Sequence, residues 1–248
     1  MKHLVVCLVL ISSLACAMSV FAQKPGRRAR SAAPAEGIVH QLAPVGKTGL
    51  RFPRLTHFRD TSIMREVNAA LDEMTAEFGC QDGEPGKTKY EVRAQVEYAA
   101  RDIFSIYVSQ SWFCGGAYPT NDYNNSVTFD METGTIVEFE QLFRDYEKDK
   151  PEILGVMFGP QIAAAAKLAA RLAAENKQPG DNCDSDPEIW SLDSLETDSF
   201  SFNFSTAGLR VQPVWPHAAE ACATRVTVPY AQLRKFAAPG SLLLRVQE

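Results

Sequence analysis

The chain has 248 residues, of which 46% are hydrophobic, and its formal net charge is −5. This length suffices for one large domain or two small ones. The acidic balance argues against nucleic-acid binding, which needs clustered Lys and Arg, and it favours a basic partner.

The N-terminal residues are typical of a secretory signal peptide. A positively charged start precedes an apolar run from Leu4 to Leu14, and Val20-Phe21-Ala22 fits a cleavage site. Lipidation at Cys16 is the alternative, but Ser13 stands where the lipidation motif carries Leu. No later run approaches about 20 apolar residues, the length of a membrane-spanning helix. We therefore expect a signal peptide at residues 1–22, a periplasmic or secreted protein, and no membrane span after cleavage.

A basic leader is expected after the signal peptide. Residues 23–36 are rich in Ala and Pro and show no apolar periodicity, which is typical of a flexible tether. A short strand is expected within Gly37–Gly46. We predict a flexible leader over residues 23–48 and a single domain over residues 49–248.

Four cysteines follow the predicted signal peptide: Cys80, Cys114, Cys183 and Cys222. In an oxidising compartment four thiols form two disulfides, and three connectivities are open. We favour Cys80–Cys114 and Cys183–Cys222, because each pair lies at the ends of neighbouring elements. A zinc site is the competing use, but the sequence lacks the C-x2-C pair typical of one. We predict no metal and no cofactor.

Several segments alternate apolar and polar residues with a period of two, which is typical of half-buried strands. Tyr90–Tyr98 and Phe104–Val108 predict an antiparallel hairpin, and Val127–Phe129 predicts a third strand. Phe200–Phe204 and Leu209–Val211 predict a second hairpin. Further strands are expected at Val226–Val228 and at the apolar run Leu242–Val246.

Helices are predicted where apolar residues recur at helical spacing. The first runs from Ile63 to Phe78 with Ser62 at its N-cap. A helical region is expected to reach about Asn176 from Lys150, with a break near Gly159 because the Pro that follows suits the first turn of a second helix. A short helix is expected at Ala231–Phe236. Hairpins with separate helices predict an α+β fold, an antiparallel sheet built from hairpins packed against helices.

An acidic segment lies between Asp181 and Asp198, with no Lys or Arg in it. We interpret it as a solvated loop. One alternative is a docking patch for a basic protein such as lysozyme. Another is a calcium site using Asp184, Asp186 and Glu188, but the Gly and final Glu of a calcium loop are missing.

Several stretches of the sequence resemble one known family. They are Phe52–Leu55, Gly115–Pro119 (GGAYP), Phe129–Gly134 (FDMETG) with Leu142-Phe143 after it, Phe200–Leu209 and Val226–Leu233 (VTVPYAQL). Together they resemble the RsiV-like extracytoplasmic domain of unknown function. That domain occurs in the lysozyme-sensing anti-sigma-V factor, in some exported polysaccharide deacetylases and in stand-alone envelope proteins.

The resemblance covers about residues 50–240. It implies an α+β fold and binding of a protein or an envelope glycan, and it does not imply catalysis. The chain departs from the family at two positions: Tyr118 stands where the family usually has His, and Cys222 where it often has Gly.

The segment Gly115–Asn125 is the best candidate for a binding surface. We expect a loop there whose Tyr, Asn and Asp side chains offer stacking area and hydrogen-bonding groups to a sugar or a partner loop. The candidate binding residues are Tyr118, Asn121, Asp122, Tyr123 and Asn124. The alternative is that the Gly and Pro residues of this segment only shape a corner.

The sequence contains neither a G-x-S-x-G elbow nor an H-E-x-x-H motif. Gly46-Lys47-Thr48 and Gly86-Lys87-Thr88 imitate the end of a P-loop, but both lack its first Gly. His57 and His217 remain as candidate bases for the alternative hypothesis, a hydrolase or polysaccharide-deacetylase accessory domain acting on envelope glycan. Our leading hypothesis is a non-enzymatic binding protein of the cell envelope, which recognises a protein, such as a lysozyme-like one, or an envelope glycan.

Overall fold

The structure is a computed structural model. It describes residues 37–46, 48–76, 78–80, 88–100, 102–115, 121–177, 186, 188–215, 220 and 222–246. The strands within these residues are β1 (Val39–Pro44), β2 (Arg51–His57), β3 (Lys89–Ala100), β4 (Ile103–Phe113), β5 (Asn121–Asp130), β6 (Thr135–Ile136), β7 (Ser199–Ser205), β8 (Gly208–Val214) and β9 (Val226–Val228). The helices are α1 (Thr61–Ala76), α2 (Tyr146–Ala174), α3 (Leu192–Leu195), α4 (Tyr230–Leu233) and α5 (Leu242–Arg245), with 3-10 turns at Phe139–Leu142 and Arg234–Phe236.

The strands form three antiparallel sheets. β1 pairs with β2, β3 to β6 form a four-stranded sheet in chain order, and β7 to β9 form a three-stranded sheet in chain order. The predicted α+β class is confirmed, as are both predicted hairpins, β3–β4 and β7–β8. The strand predicted at Val226–Val228 is β9.

Each face of the four-stranded sheet packs against a different apolar core. Phe104 and Phe129 belong to the core shared with α1 and β2. On the other face, Ser105 accepts a hydrogen bond from the backbone N–H of Phe204 in β7 (2.9 Å) and bonds the Thr128 hydroxyl (2.6 Å). Because neighbouring side chains of a strand alternate between faces, β7 meets the sheet on the face opposite α1.

The long helix α2 is continuous, so the predicted break near Gly159 is wrong. Pro160 lies inside the helix, where it removes one backbone hydrogen bond. The preceding turn is anchored in the core by Leu154, Met157 and Phe158, all buried, and this packing holds the helix together across the proline. Pro160 itself is exposed.

The same helix meets the length and composition criteria of a membrane-crossing segment, with a mean hydropathy of 1.5 in its most apolar stretch. A count of unbroken apolar residues does not detect it, because Lys167 and Arg171 interrupt the alanine-rich half. Its buried residues Ile153 and Phe158 belong to the core of the domain. A core helix of a globular protein satisfies the same criteria.

The last element is a helix, α5, and the predicted strand Leu242–Val246 is wrong. Leu242, Leu243 and Val246 are buried, whereas Leu244 is 48% exposed. Burial at positions i, i+1 and i+4 follows the helical period. A short continuous apolar run does not distinguish this pattern from that of a buried strand.

The N-terminal cap of α1 also differs from the sequence prediction. α1 is capped by Asp60, whose Oδ1 accepts from the backbone N–H groups of Ser62 (2.8 Å) and Ile63 (3.3 Å), so Ser62 is not the N-cap. β1 matches the short strand expected within Gly37–Gly46, and it pairs with β2.

A disulfide joins Cys80 to Cys114, as predicted. It ties the segment after α1 to the end of β4. Cys222 is also disulfide-bonded, while its predicted partner, Cys183, lies outside the described residues.

Candidate functional site

A groove runs along β5 and consists of two adjoining cavities of about 320 and 370 Å³, which share Met74, Asn125 and Ser126. We call it the β5 groove. The first cavity is completed by Phe78, Val108, Gln110 and Tyr123. The second continues past Val127 and Thr128 to residues 136–140, residues 199–202 and Val214. Both volumes fall in the range of about 300–1,000 Å³ that is typical of ligand sites.

Strand register explains why both polar and apolar side chains line the first cavity. Tyr123 lies opposite Gln110, and Asn125 lies opposite Val108. All four side chains share the face that packs on α1 further along the strands, where Phe129 is fully buried. Because α1 ends at Ala76, this face loses its cover and becomes the floor of the first cavity.

The polar groups of the first cavity are held in place by neighbouring residues. Tyr90 donates its hydroxyl to Oε1 of Gln110 (2.5 Å), which leaves the Gln110 amide Nε2 as a donor. Burial raises the pKa of Tyr123, and the nearby Glu220 raises it further. The Tyr123 hydroxyl therefore stays protonated and can donate a hydrogen bond even at alkaline pH.

Asn124 points to the opposite face of the sheet. Its Oδ1 accepts a hydrogen bond from the Tyr107 hydroxyl (2.8 Å). The Arg225 guanidinium lies over the Tyr107 ring, 3.8 Å from its centre. The side chain of Asn124 is thus bonded to Tyr107 and lines neither cavity of the groove.

The predicted binding loop is in part a strand. The prediction that residues 121–125 form a loop is wrong, because they belong to β5. Of the named candidates, Tyr123 lines the groove and Asn124 does not. The side chains of Asn121 and Asp122 lie outside the described part of the structure, and so does Tyr118.

Sequence reasoning missed several groove residues, among them Met74, Gln110, Asn125 and Ser126. The alternation of Tyr123, Asn125, Val127 and Phe129 was the available signal. Extending the predicted strand back through the polar residues would have placed Asn125 beside Tyr123. Met74 had no such signal, since α1 approaches β5 only in the tertiary fold.

Several backbone N–H and C=O groups on the outer edge of β5 are already hydrogen-bonded to other groups of this chain. Asn125 Oδ1 accepts a hydrogen bond from the backbone N–H of Ser126 (2.7 Å). The backbone N–H of Val137 donates to the carbonyl of Thr128 (2.9 Å). At the other end the Glu220 carboxylate lies beside the backbone N–H of Asn124.

Glu220 is a buried carboxylate next to the groove. It is 6% exposed, and within the described part of the chain its Oε2 has no hydrogen-bond partner. Its Oε1 accepts a long hydrogen bond from Gln212 Nε2 (3.4 Å). Burial raises the pKa of Glu220, and the backbone N–H groups of Asn124 and Trp215 offset part of that effect.

Replacing Glu220 with glutamine is expected to stabilise the fold at neutral pH by roughly 1–2 kcal/mol, because it removes a buried charge, and burying a charged group costs more than burying a neutral one. A carboxyl whose pKa is raised by folding destabilises the native state increasingly as the pH rises above the ordinary pKa, and fully above the raised pKa. The advantage of Glu220→Gln should therefore shrink as the pH falls towards 4.5, the ordinary value. Urea unfolding across this range measures it.

The matched control for this experiment is Glu196→Gln, because Glu196 is exposed. It should change the free energy of unfolding by less than about 0.5 kcal/mol at either pH. Equal stability of Glu220→Gln and the wild-type protein at neutral pH would show that Glu220 is not strained in the native state.

The residues of the alternative enzymatic hypothesis lie elsewhere. His57 is exposed at the end of β2 and lines neither cavity of the groove. His217 lies outside the described residues. Within the described part of the chain, no group of three or more His, Cys, Asp and Glu side chains could hold a metal ion. Asp184, one of the three proposed calcium ligands, lies outside the described residues, so the calcium site stays a prediction.

Comparison with known proteins gives structural likenesses to solved proteins. No protein-family model matches the chain, and no curated protein matches it. The chain is similar to a DUF3298 family protein from Bacteroides fragilis NCTC 9343, at 11% identity and a TM-score of 0.45, with 83% of this chain and 93% of that chain covered. It is also similar to a DUF3298 family protein from Pseudomonas aeruginosa PAO1, at 16% identity and a TM-score of 0.41, with 82% and 92% covered.

Both similar structures are described only as members of a family of unknown function. At TM-scores below 0.5 nothing about this chain's function is carried over from them. The RsiV-like resemblance stays a prediction.

Proposed function

We propose that the protein is an exported binding protein of the cell envelope, which holds a segment of an envelope glycan or of a partner protein in the β5 groove. The observation that carries the proposal is the groove itself. Its two cavities are continuous along one strand, and it combines aromatic surface with amide and hydroxyl groups. Such a lining is typical of sites that orient a ligand by a few polar contacts over an apolar floor.

Export is part of the same proposal. The Cys80–Cys114 disulfide and the disulfide-bonded Cys222 are compatible with an oxidising compartment. The signal-like N-terminus supports the same location. A periplasmic or secreted position would expose the groove to envelope polymers and to exported proteins such as lysozyme.

Two substitutions in the groove are expected to weaken binding without unfolding the protein. Gln110→Ala removes a free amide donor, and Tyr123→Ala removes an aromatic surface with its hydroxyl. Each should weaken capture of soluble peptidoglycan fragments or of lysozyme at physiological salt by about tenfold, which corresponds to about 1.4 kcal/mol. The measurement is a pull-down followed by titration with whichever material is retained.

The matched control is Gln232→Ala, because Gln232 is an exposed glutamine on α4, outside the β5 groove. It should bind like the wild-type protein. The proposal fails if neither material is retained by the wild-type protein, or if all three variants retain it equally well.

A further inference from the structure

We infer that the ligand of the β5 groove is an uncharged oligosaccharide rather than an extended peptide strand. This inference rests on the proposed function and narrows its ligand class. Three independent properties of the groove lead to this inference. They are the backbone hydrogen bonds already made along the β5 edge, the side-chain donors that remain free, and the charge of the lining.

The edge of β5 is poorly suited to strand addition. A peptide that extends a sheet needs a row of free backbone N–H and C=O groups. Along β5 the N–H of Ser126 is already bonded to Asn125 Oδ1. The carbonyl of Thr128 is bonded to Val137, and Glu220 lies against the N–H of Asn124. A peptide strand would have to displace these groups, so recognition through side chains is favoured.

The side chains offer the groups that a sugar needs. In the described part of the chain, no acceptor is bonded to Gln110 Nε2, Tyr123 Oη or Asn125 Nδ2. These donors come from adjacent strands on one face of the sheet. Sugar hydroxyls can accept from them and can donate in return to serine and threonine hydroxyls further along the groove.

The apolar surfaces beside these donors in the first cavity suit the C–H faces of sugar rings. Phe78, Tyr123 and Met74 bound the first cavity, whereas Phe139, Phe200 and Phe202, which line the second, are largely buried in the core. Aromatic rings with a polar tip are favoured where one side of a ligand is apolar and the other hydrated. A pyranose ring presents both kinds of surface.

The lining does not suit an anionic polymer. Among the described lining residues of both cavities there is no Lys or Arg, while Glu138 and Glu140 lie at one end. An acidic rim repels phosphate- or carboxylate-bearing chains. The first cavity carries no charged side chain among its described residues, so it has no ion-pair partner for a cationic chain either.

The inference is tested by titrating the purified full chain, at physiological salt, with four tetramers and one peptide. The uncharged probes are chitotetraose and cellotetraose, the cationic probe is the chitosan tetramer, and the anionic probe is tetragalacturonate. The peptide is an uncharged extended sequence of alternating Thr and Val. We expect saturable binding of at least one uncharged tetramer, weakened about tenfold by Tyr123→Ala and less by Tyr123→Phe, which keeps the ring.

The possible results separate the inference from the proposed function. Tyr123-dependent binding of the peptide, of lysozyme or of a charged tetramer, with no uncharged tetramer bound, would overturn the inference and leave the proposed function standing. Binding of an uncharged tetramer that is insensitive to Tyr123→Ala would also overturn it. If no probe binds and neither envelope fragments nor lysozyme are retained, both are wrong.

Discussion

Replacing Arg245 with alanine is expected to lower the free energy of unfolding by about 3–5 kcal/mol, because removing one partner of a largely buried ion cluster leaves the opposite charges without compensation. Arg245 contacts Asp130 through Nη2. Its Nη1 lies 2.6 Å from Glu132 and 3.6 Å from Asp102. The side chain of Arg245 is 19% exposed, and that of Asp130 is 18% exposed.

The position of this cluster explains why its loss is costly. Asp130 closes the turn after β5, since it accepts backbone N–H bonds from Glu132 at Oδ1 (2.9 Å) and from Gly134 at its carbonyl (2.7 Å). Arg245 comes from α5 at the other end of the chain. One guanidinium therefore fastens the C-terminal helix to the FDMETG turn.

Two variants sharpen the experiment, which is urea unfolding at neutral pH. Arg245→Lys keeps the charge but not the planar fork that reaches several carboxylates, so it should recover only part of the loss. Arg171→Ala, an exposed arginine on α2, should stay within about 0.5 kcal/mol of the wild-type protein. A loss for Arg245→Ala no larger than that of Arg171→Ala would contradict the structural role.

Removing the Cys80–Cys114 disulfide is expected to cost about 3–4 kcal/mol, because the cross-link restricts the unfolded chain over a sequence separation of 34 residues. The variant is Cys80→Ala with Cys114→Ala, which leaves the disulfide of Cys222 intact. Unfolding midpoints of the two proteins under non-reducing conditions give the difference.

This disulfide also borders the β5 groove. Phe78, which lines the first cavity, lies two positions before Cys80 in the chain. We therefore expect the double alanine variant to bind ligand more weakly than the wild-type protein even where it is fully folded. An unfolding free energy within about 1 kcal/mol of the wild-type value would show that the unfolded state is not restricted as the loop-closure model assumes.

The hairpins were predictable because their signal is local. Tyr90–Tyr98 and Phe200–Phe204 each alternate over a whole strand, and the period of two has no other explanation. The helix α5 was not predictable in this way. Its buried residues are set by packing in the core, and Arg245 finds its carboxylates only in the tertiary fold.

Of the residues that line the groove, only Tyr123 was predicted from the sequence as a binding residue. Tyr123 was chosen for its chemistry, and it lines the first cavity. Met74 and Ser201 reach the groove because α1 ends over β5 and because β7 meets the four-stranded sheet beside it. Such meetings of elements distant in sequence follow from sheet packing, which no local pattern encodes.

Hydrogen–deuterium exchange with and without soluble uncharged glycan fragments, such as chitotetraose, tests most directly whether the β5 groove is the binding site. We predict slower exchange at residues 123–128 and 136–140, which line the groove, and unchanged exchange at the exposed alanine-rich end of α2. Slower exchange confined to α2, or none along β5 under conditions where the fragments bind, would contradict the account.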